Sequence, residues 1–141
     1  MTTTRSTTTA TRPADRAPWV VHPLAATVLL VDAAVTGVNG LAYVAAGGWL
    51  ADWFGMPVDL VRVLGVVLLA VSAGVVLLAT RSRIPRRGVW ALVAVNTAWV
   101  VASVDHAVLA DLTGLGTAWV LLQAGVVAVF AAVQAWLARR G

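Results

Sequence analysis

Four long apolar runs, separated by short polar segments, constrain this chain more than any other feature. They cover about 24–46, 58–80, 88–110 and 116–138, and each contains about 23 residues. An α-helix of that length is roughly 35 Å long, enough to cross a hydrocarbon core of ~30 Å. Membrane strands would need only ~10 residues of alternating polarity, and the runs show no such alternation. The pattern predicts an all-α polytopic membrane protein with four transmembrane helices in an antiparallel up-down bundle.

Composition supports the bilayer as the solvent and excludes several classes of function. Only 11% of the residues are charged, against about 25% in a soluble domain. The net charge of +4 does not indicate a nucleic-acid partner, because the basic residues cluster between the apolar runs. The chain has no Cys, Lys or Glu, which excludes disulfides, thiol chemistry and Schiff bases. We expect the lipid bilayer as partner, and no nucleic acid.

The distribution of arginine predicts the orientation. Nine of the ten Arg lie in the first 20 residues, in the loop 81–87 or at 139–140. These three segments fall on the same side of a four-span protein. The positive-inside rule then places both termini in the cytoplasm, and we expect the protein in a bacterial inner membrane, as a multi-pass protein with N-in/C-in topology.

Two segments outside the spans have their own character. Residues 1–20 are rich in Thr and Arg and nearly free of large apolar side chains, which predicts a disordered cytoplasmic tail before a membrane domain at 21–141. Between the first two spans, 48–55 has the spacing of a short interfacial helix. Trp49, Trp53 and Phe54 are its expected interfacial anchors.

Nine polar side chains inside the spans are candidates for a proton or ligand site, because polar groups at membrane depth are costly and usually face the protein interior. On helical spacing they fall on one face of each span, and by depth they form three tiers. The inner tier is Asp32, Ser72 and Asn96; the middle tier is Asn39, Ser103 and Gln123; the outer tier is Tyr43, Arg62 and His106.

These residues have a structural interpretation beside the functional one. Amide and hydroxyl side chains commonly hold membrane helices together by hydrogen bonds. Small residues would permit close packing, namely Gly37, Gly40, Gly65, Ser72, Gly125 and Ala132. Asp32 differs, since a carboxyl near the midplane either pairs with a partner or stays protonated; it is the candidate proton carrier or cation ligand. Arg62 is expected to extend outward, toward Asp59 or the headgroups.

Catalytic and metal centres are not predicted. His22 and His106 lie roughly a bilayer apart, so they cannot ligate one haem in a single bundle. A zinc site would need more nitrogen or sulfur ligands than the chain offers. No nucleophile with its base is recognisable. We therefore expect no metal, no cofactor and no catalytic residue.

Parts of the chain resemble a known group of proteins. The segment 31–81, with ALVAVNTAWVVAS at 91–103 and GLGTAWVLLQAGVVAVFAAVQAW at 114–136, is similar to small bacterial four-helix membrane proteins of actinobacterial type whose function is unknown. The resemblance implies the architecture and no activity. The features it shares with the group are Asp32, Asn39, Pro57, Arg62, Gly65, Asn96, Trp99, Ser103 and Gln123.

Three functional hypotheses remain at this point. The first is a non-enzymatic accessory or interaction subunit, as a homo-oligomer or with another membrane protein, or a small-ligand binder with a polar interior. The alternative is a dimeric proton-coupled transporter, similar in plan to the small multidrug resistance transporters, with Asp32 as the proton or cation site and Tyr43 and Trp99 facing the cation. That family uses Glu in its first span. The third is an enzyme acting on lipid, with Asp32 or His106 as base.

Overall fold

Five α-helices make up the protein in a computed structural model, which describes residues 18–140. They are α1 (Ala25–Ala45), α2 (Gly47–Phe54), α3 (Val58–Ala79), α4 (Arg86–Leu109) and α5 (Gly114–Arg140). All except α2 are long and apolar enough to cross a membrane. The predicted fold class is confirmed, and each predicted boundary lies within two residues of the observed one.

The closest helix pairing joins α1 to α3, and two glycines make it possible. A Cβ at Gly65 would lie 2.8 Å from the Tyr43 Cβ and 3.0 Å from the Gly40 carbonyl oxygen. A Cβ at Gly40 would lie 2.9 Å from the carbonyl oxygen of Gly65. Small residues at such a crossing let two backbones approach within van der Waals contact. Four of the six predicted small positions serve this pairing, at Gly37, Gly40, Gly65 and Ser72.

The other two predicted small positions do not mediate packing. Gly125 is exposed, with open space where a Cβ would be, and Ala132 is exposed on the same helix. Both therefore lie on a face of α5 that the other helices leave uncovered.

The second close pairing joins α4 to α5, and α1 links the two pairs by approaching α5. The consecutive helices α3 and α4 meet near their connecting loop, where Leu78 lies against Gly88. Beyond that point a groove separates them, and two cavities open along it. The bundle is therefore closed on three sides and open between α3 and α4.

One end of the bundle, which we call the terminal end, carries the first described residues and the end of α5. Val20 donates its backbone N–H to the Ile84 carbonyl (2.9 Å), and Arg86 donates to the Pro18 carbonyl (2.9 Å). The disorder predicted for the tail concerns mainly residues 1–17, which lie outside the described residues. Residues 18–20 are held against the loop between α3 and α4.

Arginine guanidinium groups stack on three tryptophans at the terminal end. The distances from guanidinium carbon to ring centre are 4.6 Å for Arg83 on Trp19, 5.8 Å for Arg139 on Trp90 and 4.7 Å for Arg140 on Trp136. Amphipathic rings beside cations are typical of a membrane–water boundary. The stacking of arginine on tryptophan therefore supports a membrane–water interface at the terminal end.

The short helix α2 closes the opposite end. Trp49 and Trp53 are exposed, as expected of interfacial anchors, with ring centres 3.9 Å apart. Phe54, expected to be a third anchor, is instead a core residue with 4% of its surface exposed. It stacks on Trp119 at 5.9 Å, because the helix turns that side chain toward the bundle rather than toward the headgroups.

The loop between α4 and α5 fastens α2 in place. The Thr113 hydroxyl donates to the Trp53 carbonyl (2.6 Å) and accepts the Gly116 backbone N–H (2.9 Å), so one side chain serves the end of α2 and the start of α5. A side chain at Gly116 would overlap the Phe54 carbonyl oxygen. The contact between α2 and α5 therefore requires glycine at this position.

Candidate functional site

A buried polar cluster joins α1, α4 and α5 in the half of the bundle nearer the terminal end. We call it the inner polar cluster: Asp32, Thr36, Asn96 and Gln134. Gln134 Nε2 donates to Asp32 Oδ2 at 2.6 Å, and Asn96 Nδ2 donates to the same oxygen at 3.3 Å and to Gln134 Oε1 at 3.0 Å. The Thr36 hydroxyl donates to Asp32 Oδ1 at 3.4 Å. The carboxyl group therefore has donors on three side chains.

Three of the four members of this cluster are almost completely buried. Exposed fractions are 3% for Asp32, 6% for Asn96 and 0% for Gln134. In such surroundings each hydrogen bond is strengthened by the low dielectric, and a broken one leaves a polar group without compensation. The cluster is built to hold three helices at a fixed relative depth.

The predicted inner tier is only partly assembled. The structure brings Asp32 and Asn96 together, but Ser72 bonds elsewhere: its hydroxyl donates to the Ala33 carbonyl at 2.7 Å, across the α1–α3 crossing. Gln134, which was not among the predicted site residues, occupies the position expected for Ser72 beside Asp32 and Asn96. It lies seven residues to the terminal side of the centre of its predicted span, against three residues for Asp32, and its long side chain bridges the difference. Its position eleven residues after Gln123, on the same face of α5, was the available signal.

A second cluster of polar side chains lies further toward the opposite end. We call it the outer polar cluster: Asn39, Tyr43, Trp119 and Gln123. The Tyr43 hydroxyl accepts the Trp119 indole N–H at 2.9 Å and a Gln123 amide N–H at 2.8 Å. Gln123 Nε2 also donates to Asn39 Oδ1 at 3.5 Å. Tyr43 is buried, with 3% of its surface exposed, and it is the centre of this cluster.

The outer polar cluster forms part of the wall of a cavity of about 220 Å³ between α3 and α4, which we call the outer cavity. Ser103 and His106 of α4 line it with Tyr43 and Gln123, so residues from the predicted middle and outer tiers meet here. His106 Nε2 is buried and has no hydrogen-bond partner among the described residues. The remaining lining residues are Met56, Leu60, Leu64, Trp99, Ala102 and Val120.

The inner part of the α3–α4 gap is apolar. A cavity of about 590 Å³ opens there, which we call the inner groove. Val71 and Val75 of α3 face Ala91 and Val95 of α4 across it, and Arg81 lines it near the terminal end. Asp32 lines neither the inner groove nor the outer cavity.

The predicted site residue Arg62 and the histidine His22 both lie outside these sites. Arg62 is exposed, and its side chain packs against Gly47. A Cβ added at Gly47 would lie 3.0 Å from the Arg62 Cγ. His22, near the terminal end, accepts the Leu24 backbone N–H at Nδ1 (3.2 Å) and lies edge-on to Trp136. His22 and His106 are therefore on different parts of the molecule, and residues 18–140 contain no cluster of three or more potential metal ligands.

Comparisons of the chain with protein-family models, with curated proteins and with solved structures find no match. The functional argument consequently depends on the geometry of the two clusters and the two cavities.

Proposed function

We propose that this chain is a non-enzymatic integral protein of the bacterial inner membrane, with both termini in the cytoplasm, that binds a small ligand in the outer cavity. The observation that carries the proposal is the outer cavity itself, because buried polar groups and an aromatic ring converge on an otherwise apolar space. Such a combination is typical of ligand sites. The arginine-rich loop and tail support the orientation.

The lining of the outer cavity favours a neutral ligand. No carboxyl, ammonium or guanidinium group is among the lining residues. A charged ligand would lose its hydration without a counter-charge, which costs several kcal/mol. The volume of about 220 Å³ corresponds to about seven water molecules at ~30 Å³ each. A compact ring compound of low polarity fits these limits.

The inner polar cluster supports a structural role for Asp32 rather than a transport role. A cation site in a transporter needs a path by which the substrate reaches the acid. Asp32 is bonded to the side chains of three neighbours and is outside both cavities. The binding hypothesis therefore places the ligand at Tyr43 and His106, and leaves Asp32 to helix packing.

Filling the outer cavity is expected to weaken ligand binding. The probe is 4-fluorophenol, a neutral ring with one hydroxyl, titrated into the protein in nanodiscs and followed by fluorine NMR. We expect saturable binding that Ala102→Phe weakens by at least about tenfold, or ~1.4 kcal/mol, since Ala102 lines the cavity. His106→Leu, which keeps a similar side-chain volume but removes the unpaired nitrogen, should weaken it severalfold.

The matched control is Ala94→Phe. Ala94 is exposed on the same helix and lines neither cavity, so the substitution adds the same ring elsewhere on α4. Binding that is absent from the unmodified protein, or equally strong in Ala102→Phe and Ala94→Phe, would contradict the proposal.

A further inference from the structure

The outer cavity and the inner groove lie one after the other along the gap between α3 and α4. On α4, Gly88, Ala91 and Val95 line the inner groove, and Trp99 and Ala102 line the outer cavity. Successive members of this series are three or four residues apart, the spacing of a single helix face. On α3, Leu78 and Val71 of the inner groove and Leu64 of the outer cavity lie seven residues apart, about two helical turns, and so share one face. The two cavities therefore follow one another along the gap between α3 and α4, and we call them together the cleft.

The two parts of the cleft differ in chemistry. The outer part carries hydrogen-bonding groups from Tyr43, Ser103, His106 and Gln123. The inner part is lined by aliphatic side chains, glycines and a proline, with Arg81 at its terminal end. From Ser103 to Gly88 the α4 face extends over fifteen residues, or roughly 22 Å at 1.5 Å per residue. A ligand that matches the whole cleft has a polar ring at one end and a long apolar chain.

The hydrogen-bonding pattern of Tyr43 indicates which polar atom the ring should carry. Its hydroxyl oxygen already accepts two N–H groups, from Trp119 and Gln123. Both lone pairs of the oxygen are then occupied, so the O–H proton is what remains for a further partner. An imidazole N–H at His106 Nε2 would supply a second donor on the same cavity. Two donors facing one space suit carbonyl oxygens.

We propose that the cleft binds a neutral quinone-type lipid, with the ring in the outer cavity and the chain in the inner groove. This inference rests on the proposed function and adds the chemical class of the ligand. Ring carbonyl oxygens accept from Tyr43 and His106, and the ring lies beside Trp99. The apolar chain of the ligand enters sideways from the bilayer, because the bundle is open between α3 and α4.

The chain of the ligand provides the test. The probes are a methoxy-substituted benzoquinone without a chain and the same ring with a ten-carbon chain, each added to nanodiscs at equal mole fraction of lipid. Binding is measured by the rise in thermal unfolding temperature with ligand concentration. We expect both rings to bind, and Ala91→Phe to weaken the chain-bearing ligand about tenfold while leaving the chainless ring unchanged. Ala94→Phe should alter neither affinity, and a ten-carbon alcohol should not displace the ring.

The outcomes separate this inference from the proposed function. If 4-fluorophenol binds but the chain prevents quinone binding, or Ala91→Phe affects both quinones equally or neither, the lipid assignment is wrong and the small-ligand site stands. If native mass spectrometry finds a phospholipid or a second copy that the chain-bearing quinone does not displace, the inner groove has another occupant and the inference fails. Failure of 4-fluorophenol and both quinones to bind removes the proposed function itself.

Discussion

Replacing Gln134 with leucine should lower the free energy of unfolding by about 2–3 kcal/mol. The substitution keeps a similar volume at a position with 0% exposure, so the loss comes from polar contacts. It removes the 2.6 Å bond to Asp32 and the 3.0 Å bond from Asn96. Hydrogen bonds between membrane helices average about 0.6 kcal/mol and reach ~1.7 kcal/mol, and a buried carboxyl oxygen deprived of its donor adds to that cost.

The measurement is thermal unfolding in detergent, followed by tryptophan fluorescence, where such a loss corresponds to roughly 10 °C. Thr97→Ala is the control, since Thr97 is an exposed residue whose hydroxyl bonds the Val93 carbonyl of its own helix; we expect a change below about 0.5 kcal/mol. Asn96→Ala should also destabilise, and the double variant should lose less than the sum because the two amides share one bond. Additive losses, or wild-type stability of Gln134→Leu, would show that the inner polar cluster does not couple the helices.

Replacing Gly65 with leucine should separate α1 from α3 and cost at least about 3 kcal/mol. Three atoms of α1 would lie within 3.0 Å of the new Cβ, belonging to Gly40, Tyr43 and Val44, and the carbonyl oxygen of Gly40 is backbone that no side-chain rotation can move. Overpacking of well-filled sites costs ~1–3 kcal/mol, and more when backbone is displaced. We expect a large fall in the unfolding temperature in detergent.

Gly74→Leu is the matched control for this substitution. Gly74 lies on the same helix, is exposed and has open space around its missing Cβ. The same residue change there alters helix propensity and hydrophobicity equally but meets no backbone, so stability should not fall and is expected to rise by up to about 1 kcal/mol. Equal destabilisation by the two variants would mean that the crossing of α1 and α3 is looser than the structure indicates.

Variants of the inner polar cluster and variants of the outer cavity should affect different properties, the first stability and the second ligand binding. Disrupting Gln134 removes contacts that hold α1, α4 and α5 together, and it touches neither cavity. Filling the space beside Ala102 changes the outer cavity and leaves the inner polar cluster intact. A ligand effect that follows the cavity variants but not the cluster variants would assign the two regions to different roles.

The sequence alone determined the helices and two of the polar contacts between them. Run length and hydropathy predict four spans and the short helix between the first two, because bilayer thickness and backbone hydrogen bonding allow few other solutions. Helical periodicity also predicts that the polar residues face inward. Their positions along the spans predict that Asp32 lies near Asn96 and Asn39 near Gln123, and both pairs are hydrogen-bonded in the structure. These inferences depend on geometry along single helices.

Tertiary structure decided what depends on rotation and separation between helices. Gln134 completes the inner polar cluster because a flexible side chain bridges a difference in depth that counting residues treats as a mismatch. Phe54 is buried because loop contacts at Thr113 turn α2 toward the bundle. The inner groove between α3 and α4 has no signature in either helix, since an aliphatic face reads the same whether it meets lipid or a neighbouring helix. Lipid tails are as apolar as the side chains of a core, so hydrophobicity in a membrane cannot specify which faces touch.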